Sequence, residues 1–150
     1  MTAIRRTMLL LQIGCKYMIE YSPACKAAFV TQVRTKIEAA APLPGKVLIY
    51  SATQPTAGTA ITDQILCAII PFQVPCGEIV GNALQLFTPI EESLVPATSI
   101  IAWGRVVDGN DVWVADLNVG LAGSGASLIV NSVLVRQGGI LRINSGIFTA

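Results

Sequence analysis

The chain has 150 residues, 53% of them hydrophobic and only 13% charged, with a formal net charge of +1 and a mean hydropathy of +0.63. That length accommodates one domain with one core and an arm, and so little charge leaves too few polar groups to cover a small domain's surface. The longest apolar runs, Met8–Ile13 and Ile65–Phe72, fall short of the roughly 20 residues of a membrane-spanning helix, so the apolar excess points to burial in a homo-oligomer or larger assembly.

Residues 1–21 read as an N-terminal arm. Arg5-Arg6-Thr7 followed by an apolar run resembles a short signal peptide. The run is at the lower limit of a signal's apolar region, and Gln12 suits cleavage before Cys15 poorly, so no cleaved signal is expected. Arg5, Arg6, Met8, Leu9, Leu10 and Leu11 instead read as an assembly arm held by a neighbouring subunit. Charge is uneven along the chain. Up to Lys46, seven basic residues stand against two acidic ones, a balance of +5; beyond it, three arginines stand against seven acids, a balance of −4. A basic arm on an acidic partner surface follows more readily than nucleic-acid binding, because no aromatics interleave the cations to stack bases.

The main domain spans residues 22–150. Ser22-Pro23 supplies an N-cap and a proline at the first helical position. Phe29, Val30, Val33, Ile37 and Ala40 then form one apolar stripe, and Pro42 and Pro44 end it. A helix over about 23–41 is predicted. From Lys46 the pattern becomes extended. Lys46–Tyr50 reads as a strand, closed by the polar loop Ser51–Gly58. Asp63–Ile70 reads as a second strand with both faces covered, broken by Pro71 and Pro75, and Ala83–Thr88 as a third. Glu91-Glu92 lies in a loop before the strand Ser99–Val107. Asp108-Gly109-Asn110 is a hairpin turn, and Val112–Val119 returns from it with Trp113, Ala115, Leu117 and Val119 on one face. After the small-residue loop Gly120–Ala126, Leu128, Val130, Val133 and Val135 continue in short strands. A Gly138-Gly139 turn precedes the alternating Leu141 and Ile143. Strands at this spacing over about 46–148 predict a mainly β domain, an antiparallel β-sandwich or barrel carrying one helix.

No residue set reads as a catalytic, cofactor or metal site. Gly120-Leu-Ala-Gly-Ser-Gly lacks the Lys-Ser/Thr ending of a phosphate loop. Asp108, Asn110 and Asp111 fit a turn better than a calcium loop. Glu91-Glu92 has no third polar partner for acid–base work, and without histidine the serines and cysteines lack their usual base. Cys15, Cys25, Cys67 and Cys76 read as free thiols by default. A Cys67–Cys76 bridge is open if that segment folds back, as is an intermolecular disulfide through Cys15 or Cys25. Trp103 and Trp113 are expected to pack in the core across the hairpin, with a sugar-stacking platform as the other reading.

Several segments carry a resemblance. Val47-Leu48-Ile49-Tyr50-Ser51-Ala52-Thr53-Gln54-Pro55 is similar to a Leu-x-Ile-Tyr-Ser-Gly-Thr-x-Pro segment, with Val47 for its leucine and Ala52 for its glycine. Ala102, Arg105, Val106 and Asp108-Gly109 follow an Ala-x-x-Arg-Val-x-Asp pattern. Asp116, Val119-Gly120, Leu128 and Val130 follow an Asp-x-x-Val-Gly pattern with a small-residue loop, and Gly138-Gly139, Leu141 and Ile143 close the series. Taken in order over about Ala27–Phe148, these resemble a family of small tailed-bacteriophage virion structural proteins, built as a helix and a β domain. The resemblance implies structural motifs, a place in the virion and partners among capsid, neck or tail proteins. The expected role is a non-enzymatic capsid-decorating cement or a head–tail neck accessory. The alternative is a receptor- or glycan-binding module of the tail, which an exposed tryptophan in a concavity would favour.

Overall fold

The structure, a computed structural model, describes residues 19–93 and 95–150. Arg5, Arg6, Met8, Leu9, Leu10, Leu11 and Cys15 lie outside the described residues. Helix α1 (Pro23–Ile37) starts as its sequence dictates, with the Ser22 hydroxyl accepting from the Cys25 N–H at 3.2 Å and Pro23 in the first turn. It ends four residues before the expected boundary. From Glu38 the chain tightens into three-residue turns, with Ala39, Ala41 and Leu43 N–H groups reaching the carbonyls of Lys36, Glu38 and Ala40. The Glu38 carboxylate leaves the helix surface to accept the Cys76 N–H at 2.7 Å.

Ten strands follow: β1 (Lys46–Ser51), β2 (Leu66–Pro71), β3 (Gly77–Val80), β4 (Ala83–Leu86), β5 (Ile90–Ser93), β6 (Ser99–Val107), β7 (Trp113–Gly120), β8 (Leu128–Val130), β9 (Leu134–Val135) and β10 (Ile140–Thr149). They form one sheet in the order β2-β1-β6-β7-β8-β10-β4-β3, with β5 added to β10 and β9 to β6. The sheet curls into a half-barrel, and the protein is mainly β. Pairing is antiparallel save for β7 with β8. The inner face supplies Val47, Ile49, Ala68, Ile70, Val106, Leu117, Leu128, Leu141 and Ile143, all in one core with Val30 and Ile37 of the helix. Helix α1 lies against β3, β4, β7 and β10.

Several sequence expectations need correction. Phe29 is not in the buried stripe: Val30 and Ile37 face the core while Phe29 is 56% exposed. The second strand begins at Leu66, and Ile69 is exposed, so its outer face is not covered along its whole length. Gly77–Val80 is a strand that was not anticipated, joined to β4 through Gly81-Asn82 with Gly81 at φ +62°. Glu91 and Glu92 lie in strand β5, opposite Arg142 and Leu141, rather than in a loop. Trp113 does not share a face with Leu117 and Val119. The register shifts beside Val106 and Val107, so that Val106 faces Ala115 and Val107 faces Trp113. Such a bulge reverses which way the side chain beyond it points. Cys67 and Cys76 are free and buried, not bridged.

Candidate functional site

The outer face of β1, β6 and β7 carries the densest polar constellation among the described residues. Register places Tyr50 opposite Trp103, and Arg105 opposite Asp116. All four therefore stand on the side of the sheet away from the main core, whose members on these strands include Val47, Ile49, Val106 and Leu117. The Tyr50 and Trp103 rings stack at 4.8 Å and 18°, and the Arg105 guanidinium carbon lies 5.4 Å from the Trp103 ring centre. This is within the range where a cation is attracted to an indole face.

Asp116 is the hub. Its Oδ1 accepts from Arg105 Nε at 2.8 Å and from Trp113 Nε1 at 3.1 Å. Its Oδ2 accepts from Arg105 Nη2 at 2.9 Å and from the Gly58 N–H at 2.9 Å. The carboxylate has no exposed surface, and the Arg105 side chain is 11% exposed. Burial pushes the Asp116 carboxyl up, but the Arg105 bonds, the Gly58 N–H and the Trp113 indole outweigh it and hold it below the usual range. The same bonds raise Arg105 against its own desolvation. Burial raises the Tyr50 phenol, with Arg105 opposing. Gly58, at φ +76°, lies flat on the Trp113 ring, where a Cβ would come within 3.0 Å of the indole. The constellation thus pins the loop between β1 and β2 onto the sheet.

Chemically, this is a closed set. A carboxylate offers about four acceptor positions, and all four have protein donors. The Arg105 fork is engaged bidentately, the strong form of such a pair. A proton-transfer role would require breaking these bonds. Trp103 is buried, as expected, and its Nε1 has no partner. Trp113 is 47% exposed, which corrects the expectation that both tryptophans sit in the core.

The acids singled out from sequence are dispersed rather than gathered. Asp108 is buried in its turn, its Oδ1 accepting the Asn110 and Val112 N–H groups at 2.8 and 2.9 Å. Asp111 pairs with Lys46 at 2.8 Å, and Glu91 with Arg142 at 3.0 Å. Among the described residues, no group of three or more His, Cys, Asp or Glu could hold a metal. Burial raises the Cys67 thiol, which donates to the Ile65 carbonyl at 3.3 Å. Burial and the adjacent Glu38 push Cys76 up to about 12. Cys25 is exposed. No described helix is long and apolar enough to cross a membrane.

Two hollows lie beside α1, the second bordered also by Asp116. One, of about 410 Å³, is lined by Tyr21, Cys25, Lys26, Phe29 and Ala150. The other, of about 290 Å³, shares Phe29 and continues between α1 and strands β7 and β10, with Val33, Val114 and Phe148 among its walls. Sequence reasoning missed both, along with the hub role of Asp116. Tyr50, Arg105 and Asp116 come from three strands distant in sequence, β1, β6 and β7. The chain matches no family model, no curated protein and no solved structure.

Proposed function

We propose that the protein is a non-enzymatic structural component of a tailed-phage particle, a capsid-decorating cement or head–tail neck accessory that works by apolar association. The observation that carries this reading is the apolar surface left open outside the core. Ile100 and Leu134 face each other across β6 and β9 and are 66% and 47% exposed, and Ile140, beyond the following turn, is 54% exposed. With charged residues at 13% of the chain, such positions favour burial against a partner. The closed Asp116 constellation supports a structural rather than catalytic use of the polar groups, and the ordered resemblance supports a virion setting.

The test has two arms. Purified protein should associate with a concentration dependence in sedimentation, through an interface of at least about 1,200 Å², and Ile100→Lys with Leu134→Lys should shift it toward monomer. Peptides of the chain should also be found by mass spectrometry in purified particles. A monodisperse monomer at high concentration, absent from particles, would overturn the reading. The second reading, a glycan-binding tail module, draws on the half-exposed Trp113 ring. It predicts quenching of Trp113 fluorescence by host polysaccharide, and loss of that quenching in Trp113→Ala.

A further inference from the structure

We propose that residues 52–64, between β1 and β2, form a strap that swings off the sheet as a unit, pivoting at Ala52, while the sheet beneath it stays folded. None of these residues is buried, and most of the strap's hydrogen bonds are its own. Gln64 Nε2 donates to the Thr53 carbonyl at 2.9 Å and closes the neck. Above the neck, the Thr59 N–H reaches the Thr56 carbonyl and the Thr62 N–H reaches Gln64 Oε1, each at 3.0 Å. Below it, the Ser51 N–H donates to the Ile65 carbonyl at 3.0 Å and the Ile65 N–H to Ser51 Oγ at 3.1 Å, which fixes both roots to the strands. Among the described residues, one hydrogen bond alone joins the strap above its neck to the rest of the sheet. It runs from the Gly58 N–H to Asp116 Oδ2, at 2.9 Å.

Ala52 lies between the fixed roots and the neck, and it holds φ +64°. A residue with a Cβ adopts that conformation at a cost. Such strain persists only where the surrounding structure imposes it, and it collects at segments that switch. Here the closed strap imposes it, so release of the tip lets Ala52 relax. The latch at the other end is equally local. Gly58, at φ +76°, lies so close to Trp113 that a Cβ would meet two ring carbons at 3.0 Å. A segment tied by one bond and one ring contact opens at a lower free energy than the paired strands under it, because only those ties are lost. Opening uncovers the indole face on which Gly58 rests and bares Asp116 Oδ2, whose carboxylate has no exposed surface in the closed form. The Arg105 fork, from within the sheet, stays bound to the carboxylate throughout. One surface thus has two states, one with every acceptor filled and one with an indole face beside a free carboxylate lone pair.

Native-state amide hydrogen exchange of the full chain, followed by NMR at a series of urea concentrations below the unfolding transition, tests the proposal. The amide at position 58 should exchange at a rate nearly independent of urea, because a local opening exposes little surface. Amides in the centres of β6 and β7 should speed up steeply over the same series. Gly58→Ala, which strains the latch and crowds the Trp113 ring, should lower protection at position 58 at least about tenfold. Ala52→Gly, which removes strain from the closed form, should raise it about twofold to fivefold. Exchange at position 58 with the same urea dependence as the β6 and β7 amides would overturn the proposal, since the strap would then leave only when the sheet unfolds. Protection unmoved by Ala52→Gly would overturn the pivot. If Gly58→Ala fails to fold, the wild type and Ala52→Gly still decide.

Discussion

Asp116 holds one loop, one arginine and one tryptophan in place with four acceptor bonds, so its loss should be felt well beyond its own side chain. Truncation leaves the Arg105 charge buried and unpaired, which in comparable cases costs about 3–5 kcal/mol. Asp116→Ala should lower the urea midpoint accordingly, whereas Trp113→Phe, which removes a single bond, should cost about 1 kcal/mol. The pH dependence has a definite sign. Because the carboxyl is held below its ordinary value, its contribution is complete above the unfolded carboxyl's pKa of about 3.9. It is lost as the pH falls through the lower, folded value. The wild-type stability should therefore drop more steeply below about pH 4 than that of Asp116→Asn. Ala52 gives a gain in the opposite direction. It adopts φ +64°, in the left-handed region that favours glycine. Left-handed backbone costs a residue with a Cβ about 1–2 kcal/mol, partly offset by glycine's greater unfolded-state freedom. Ala52→Gly should raise the unfolding free energy by up to about 1 kcal/mol, read as a higher urea midpoint.

At the scale of elements, strands β1, β6 and β7 and the start of α1 were legible because local chemistry and tertiary context agree there. Lys46–Ser51 and Ser99–Val107 alternate or run apolar between clear punctuation. Asp108-Gly109-Asn110 reverses the chain as its composition dictates, although the residue at positive φ is Asp111, at +66°. Gly109 serves a different end: a Cβ there would meet Leu43 Cβ at 2.6 Å and its carbonyl oxygen at 2.7 Å. Gly109→Ala should therefore destabilise by about 1–3 kcal/mol, as overpacking does, with a chemical melt as the check. What escaped the sequence was what needs a partner strand to be seen. The bulge at Val106 and Val107 that turns Trp113 outward has no local signature, and the pairing of Glu91 and Glu92 depends on β10 more than 45 residues away. The Gly81-Asn82 turn was readable in principle but hidden between prolines. The constellation around Asp116 was legible only as separate pieces, because Arg105 and Asp116 meet through register rather than spacing.

For the whole molecule, the buried thiols give a readout of global unfolding. Cys67 and Cys76 should resist alkylation in the native state while Cys25 reacts at once, which peptide mapping after a short pulse would show. Cys76 also sets an alkaline limit. With its folded value pushed up to about 12, its contribution is complete below the ordinary thiol value of about 8.5 and is lost as the pH rises through about 12. Stability should fall across that window, and less so in Cys76→Ala.

Strand β10 pairs with β4, β5 and β8, so the sheet's two halves are joined by a segment synthesised after all the other strands. Until Ile140–Thr149 has emerged, β4 and β8 each present an unpaired edge, and such edges invite pairing with other nascent chains. Synthesis itself thus imposes a waiting period, during which most of the chain is made but cannot close. Polypeptides arrested before residue 140 should partition into the insoluble fraction and those arrested with β10 clear of the exit tunnel should not, a contrast that pelleting of stalled nascent chains would reveal.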